Sequence, residues 1–300
     1  MTDVTDVIDV SLSGTLEYLL KHDYEDLAFF LRTTWESHPP QSDNGHYQMW
    51  KEQVALNLPI LYLASMRLHN FVKSRGIKHL LFATRDCSHW YKIHKVLYPG
   101  DDCHYFDCSR NMFNKARITY NPNYEKYVNR VTNKDIKHSV FIDIHGTGTR
   151  MYDYFSTRHD EVPTCFILSS GRSSSSGLLD GIQQLIRKQR CEFLIFGAGG
   201  SPIEMLNYDV IGTCNDYVKY GPVRAAVEYD LKYVLPSHQC VNTFIELIKK
   251  HPAKVVDHKS NGKLLSAIKH LFEPALNNLP IISRWIDAER KHKVTDTTNI

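Results

Sequence analysis

The sequence predicts an α/β fold: an open parallel sheet with helical additions at both ends. Three observations predict it. From residue 77 onward, five short apolar runs alternate with amphipathic stretches, and parallel strands need crossover connections of this kind. Residues 12 to 35 and 236 to 300 instead carry their apolar side chains at helical spacing. The chain has 300 residues, 42% hydrophobic and 23% charged, enough to bury a full core without a metal or disulfide staple. Together these describe a Rossmann-like α/β domain at residues 46–235, an N-terminal helical extension at 1–45 and a C-terminal helical region at 236–300.

Leu16, Leu19, Leu20, Leu27, Phe30 and Leu31 mark the first helical region, broken by the polar KHDYED and closed by the loop HPPQSDNG. A helix follows over 47–74. Pro59, lacking an N–H, implies a break or restart within it, and Gly76 a stop. The strand candidates come next: IKHLLFAT before SHWYKIHKVLY, CHYFDCS before a long polar segment, HSVFIDI before RMYDYF, PTCFILSS before LLDGIQQLIRKQ, and CEFLIFG. The low-complexity run SSGRSSSSG at 169–177 reads as a loop following the fourth strand. VNTFIELIKK, KLLSAIKHLFE and a stretch around IISRWIDAERKHK read as closing helices, before a polar VTDTTNI expected to fray.

The formal net charge of +3 permits an anionic small-molecule substrate and falls short of the basic stripe of a nucleic-acid binder. Seven Cys, odd in number and without a CxxC pair, indicate reduced thiols and neither a disulfide framework nor a zinc ribbon. MTDVTDVIDVSLSG lacks the basic and apolar regions of a signal peptide. The most apolar run, LNLPILYLASM, is interrupted by Asn57 and Pro59 and is too short to span a bilayer. The expectation is a cytoplasmic protein with no membrane span and no nucleic-acid partner.

Ligands of an open parallel sheet bind at the carboxyl ends of its strands. Three loops should meet there: Thr84-Arg85-Asp86-Cys87-Ser88, Asp107-Cys108-Ser109-Arg110, and His145-Gly146-Thr147-Gly148-Thr149 after Asp143. Each combines hydroxyls with a fixed positive charge or an amide-rich turn, which suits a phosphate. A helix beginning near Thr149 would add its N-terminal dipole. Asp143 suits sugar hydroxyls or a magnesium ion bridging to phosphate oxygens.

The stretch VFIDIHGTGTRM resembles the phosphoribosyl-pyrophosphate loop of type I phosphoribosyltransferases. With LLFATRDCSHW and YFDCSRNMF, it is also similar to the "FLARDG", "SR" and "DIGxxGT" modules of surface-polysaccharide gene clusters. The resemblance covers residues 50 to 215, more closely before 160. It implies a phosphoribosyltransferase-type sheet and a glycosyl (pentosyl or phosphoribosyl) transferase with a phosphoribosyl-pyrophosphate-like donor, Mg2+ and an unidentified acceptor, a glycan being the candidate. In it Asp143 holds the ribose hydroxyls or magnesium, and His145, Gly146, Thr147, Gly148 and Thr149 cradle the 5-phosphate. Arg85, Ser109 and Arg110 face the pyrophosphate, and Asp86 binds magnesium or acts as base. Two positions depart from the pattern: Ile142 replaces a first acid, and Cys87 replaces a Gly.

Two alternatives stand beside this. FIDIHGT also resembles the haloacid-dehalogenase phosphatase motif, with Asp143 as nucleophile, His145 in the acid/base position, Ser169 or Ser170 as second motif and Asp209 or Asp216 as metal acid. The other is a non-catalytic sugar-phosphate-binding module. Of the remaining motifs, GAGGS lacks dinucleotide spacing and would wall an acceptor pocket with Glu204, while His89 and His94 lack metal-ligand spacing.

Overall fold

The computed structural model describes residues 11–39, 43–198, 202–227, 229–252 and 260–277. The chain divides into two compact units, one of residues 65–228 and one combining residues 1–64 with 229–300. The N- and C-terminal helical segments thus share a unit. Its limits fall at 64/65 and 228/229, where sequence reading draws them at 45/46 and 235/236.

In the helical unit, α1 (Leu12–Lys21) and α2 (Glu25–Glu36) are separated at the KHDYED stretch, where Asp23 takes a left-handed φ of 60°. α3 (Asn44–Glu52) is capped by the Asp43 side chain on the His46 N–H at 2.8 Å. No break follows at Pro59. A π-helical turn, Gln53–Asn57, runs directly into α4 (Leu58–Arg75), and the Ala55 carbonyl, four residues before Pro59, accepts instead from the Thr15 hydroxyl at 2.8 Å. Inside the π turn, buried Asn57 donates to Gln53 Oε1 at 2.7 Å. Leu19, Leu27, Phe30, Trp50 and Phe244 are buried in this unit, and the Phe30 and Phe244 rings meet edge-on at 6.1 Å.

The α/β unit carries the five expected strands: β1 (His79–Ala83), β2 (Asp102–Phe106), β3 (Ser139–His145), β4 (Thr164–Ser170) and β5 (Cys191–Phe196). All pair in parallel, in the order β2-β1-β3-β4-β5. The central strands are buried on both faces, as a sheet covered by helices on both sides requires. On one face, Phe82 and Phe166 pack with Trp90 of α5 (Ser88–Leu97) and Phe71 of α4. On the other, Phe106 and Phe141 meet Phe113, Tyr124 and Tyr127.

Those last side chains belong to α6 (Arg110–Ile118) and α7 (Pro122–Val131), so the stretch read as a polar segment is two amphipathic helices. α8 (Thr149–Arg158) and α9 (Asp180–Arg187) complete the crossovers. After the short α10 (Pro202–Leu206) comes an antiparallel hairpin, β6 (Cys214–Val218) with β7 (Gly221–Arg224), which sequence reading does not anticipate. α11 (Leu231–Lys250) and α12 (Asn261–Asn277) are the first two closing helices. The stretch around IISRWIDAERKHK lies outside the described residues. Among the described residues, no helix is long and apolar enough to cross a membrane.

Candidate functional site

β2 lies on one side of β1, and β3 to β5 lie on the other. The winding therefore reverses between β1 and β3, and ligands of open parallel sheets bind where it reverses, outside the carboxyl ends. A pocket of about 220 Å³ opens at that point. Ala83, Thr84 and Asp86 line it from the first loop, and Cys108, Ser109, Arg110 and Phe113 from the second. Phe141, Asp143 and every residue from His145 to Met151 come from β3, the loop after it and the start of α8, and Glu204 from α10.

Short-range hydrogen bonds fix these loops to one another. Thr84 Oγ1 donates to the Cys108 carbonyl at 3.1 Å, while the Thr84 N–H donates to the Phe106 carbonyl at 3.0 Å. Ser109 caps α6 by accepting from the Met112 N–H at 3.0 Å, and its own hydrogen goes to the Cys214 carbonyl. Its hydroxyl thus holds the loop and offers no donor to a ligand while that bond stands. The Gly146 N–H donates to the Ser169 carbonyl at 3.1 Å.

Two of the glycines in the third loop are required by its geometry. A Cβ on Gly146 would stand 3.1 Å from Asp143 Oδ2, so glycine lets the backbone close over the carboxyl. Gly148 has φ +70°, and a Cβ there would meet Ile182 Cδ1 at 3.2 Å and Cys165 Sγ at 3.3 Å. It is also the N-cap of α8 and supplies no side-chain cap. The first-turn N–H groups of α8 are therefore left to a ligand or solvent, with the positive end of the helix dipole behind them. The Thr147 and Thr149 hydroxyls bond to each other at 2.8 Å.

Asp143 projects from β3 into the pocket, and Asp86 lines the same space. Burial, then the Asp86 charge, push the Asp143 carboxyl up to about 8 against the pull of the Ile144 and His145 N–H groups. Asp86, from another loop, is thus the second acid of this pocket whose charge acts on Asp143. His145 is held low by burial. Ser169 Oγ gives its hydrogen to the Ile144 carbonyl at 2.8 Å, so the 3.0 Å contact with His145 Nδ1 assigns the imidazole proton to Nδ1. The neutral ring brings no positive charge to a phosphate.

Arg110 sits at the first position of α6, exposed at the pocket. Arg85 does not line it. Its side chain is buried, with the guanidinium 4.8 Å from the centre of the Tyr208 ring and Nε 3.4 Å from Asp86 Oδ1. The Thr84–Arg85 peptide is cis. Arg150, which sequence reading passes over inside RMYDYF, lines the pocket in Arg85's stead. Its signal was position, directly after Thr149 at a helix start. Asp209 accepts from the Tyr105 hydroxyl at 2.7 Å, and Asp216 pairs with Lys115. Neither lines the pocket, and Gly199 to Ser201 lie outside the described residues.

No protein-family model matches this chain, and no curated protein matches it. The chemistry of the site therefore rests on its own geometry.

Proposed function

We propose that the chain is a pentosyl or phosphoribosyl transferase acting on a phosphoribosyl-pyrophosphate-like donor. The observation that carries this reading is the meeting, in one pocket at the switch point, of a helix N-terminus without a side-chain cap and a carboxyl pair, Asp86 and Asp143. An amide-lined anion site beside carboxylates suits a ligand that joins a phosphate to a sugar. The loop 146–149 and the first turn of α8, flanked by Arg150 and Arg110, receive the 5-phosphate. Asp143 accepts from the ribose hydroxyls. The Thr84–Asp86 loop faces the pyrophosphate.

Two carboxylates, Asp86 and Asp143, make a donor set for a hard cation, and magnesium commonly binds through one or two carboxylates plus substrate phosphates. Burial, and then the Asp86 charge, raise Asp143, and a cation held by these residues would favour its charged form. Bound there, magnesium would neutralise the charge of a departing pyrophosphate. Cleavage of the C1–O bond leaves an oxocarbenium-like sugar, stabilised by the nearby carboxylate. An acceptor hydroxyl then attacks C1 and gives up its proton, for which Glu204 lines the pocket.

The phosphohydrolase reading is disfavoured by the same geometry. Its metal-acid candidates lie away from the pocket: Asp209 accepts from the Tyr105 hydroxyl and Asp216 pairs with Lys115. Thermal unfolding with and without ligand tests the proposal. Phosphoribosyl pyrophosphate with magnesium should raise the melting temperature, because a ligand that binds only the native state stabilises it. Arg110→Ala and Thr149→Ala should each diminish the shift. No shift in the unaltered protein, or equal shifts in all three, would count against it.

A further inference from the structure

At the other end of the same sheet face, three side chains with no part in the pocket converge. His79 opens β1, and its register partner on β2 is Asp102. His104 lies two residues on, on the same face of the strand. Both imidazoles aim at a single oxygen: His79 Nδ1 is 2.7 Å and His104 Nε2 is 3.1 Å from Asp102 Oδ2. The donor atoms of the trio lie within 4.8 Å of one another, and among the described residues no other group of three His, Cys, Asp or Glu side chains meets that criterion.

We propose that His79, Asp102 and His104 bind a divalent transition ion of the zinc class. Two imidazoles and a carboxylate are the ligands that such borderline ions take, whereas magnesium and calcium prefer oxygen. Three protein donors leave further positions for water. Bonds of about 2.0–2.2 Å require only that the donors spread slightly from their present hydrogen-bond spacing. The site also has access. Asp102 and His104 side chains are 54% and 29% exposed, and β2 is the edge strand.

The neighbouring Asp101 shows the contrast. It too accepts from two histidines, His69 Nδ1 at 2.8 Å and His94 Nε2 at 3.1 Å, but the His94 side chain is fully buried and that of Asp101 is 7% exposed. That trio is an internal hydrogen-bond network, and the exposed one is the ion site. The pocket lies four residues along β1, about 13 Å away at ~3.3 Å per residue, so the ion would act as a clip between β1 and the edge strand and take no part in transfer.

Titration of the full chain with Zn2+ against a chromogenic chelator, with Mg2+ as control, tests this. The expected result is one equivalent of tightly bound Zn2+, no competition by Mg2+, and a melting temperature raised by Zn2+. His104→Ala and Asp102→Asn should each weaken binding by at least the roughly tenfold that losing an outer-shell partner costs a metal site, while His69→Gln should leave it unchanged. Both altered residues are accessible at the sheet edge, and circular dichroism without metal checks their folding. Failure of the unaltered protein to bind Zn2+, unchanged affinity in both variants, or loss in His69→Gln instead would overturn the proposal.

Discussion

Asp143 is the residue on which both stability and chemistry turn. Its carboxyl is raised to about 8 in the folded state, against about 3.9 for an unperturbed Asp. Between those values the folded chain holds more protons than the unfolded one, so stability falls as pH rises through that window and is greatest, for this group, below it. Asp143→Asn removes the penalty. The variant should melt higher than the unaltered protein at pH 8 without magnesium, by roughly 2–4 °C for each kcal/mol of relieved burial and repulsion. Thermal unfolding at pH 5 and pH 8 checks this: the gap should narrow at pH 5, nearer the lower end of the window. The same variant should lose turnover. A variant that melts lower at pH 8, or that retains the full rate, would remove Asp143 from this account. Asp143, Arg110 and the loop 145–149 were legible in the sequence because a strand end and a glycine-rich turn fix where they must lie. Arg85 was not. Its partner Tyr208 comes from a distant part of the chain, and only tertiary packing decides that an Arg after a strand turns inward onto a ring.

At the scale of elements, the turn into α8 is the most constrained piece of the site. Gly148→Ala places a side chain at φ +70° and brings its Cβ to within 3.3 Å of Cys165 Sγ and Ile182 Cδ1. A left-handed non-glycine residue costs on the order of 1–3 kcal/mol, so urea denaturation should show a loss of about that size, and donor binding should weaken as the amide-lined turn shifts. An unchanged midpoint would mean that the loop relaxes without cost. The five strands were readable from their apolar runs. α6 and α7 carried a readable signal as well, since Met112, Phe113 and Ala116, then Tyr124, Tyr127, Val128 and Val131, recur at helical spacing. The surrounding charges concealed it. The β6–β7 hairpin had no such signal: its turn residues, Lys219 and Tyr220, are not those that favour tight hairpins, and Pro222 stands within a strand.

For the molecule as a whole, the strand order converts separate loops into a site. Five parallel strands could be read from the sequence, but their order depends on how the crossovers pack, and only that order sets β1 beside β3. Once it does, Asp86 and Asp143, far apart in the chain, face one pocket. The transferase reading depends on that juxtaposition. Calorimetric titration of the full chain with phosphoribosyl pyrophosphate, with and without magnesium and with a nucleoside diphosphate sugar as control, tests it most directly. The account predicts magnesium-dependent binding of the phosphoribosyl donor and none of the nucleotide sugar. Silence with both, or preference for the nucleotide sugar, would contradict it.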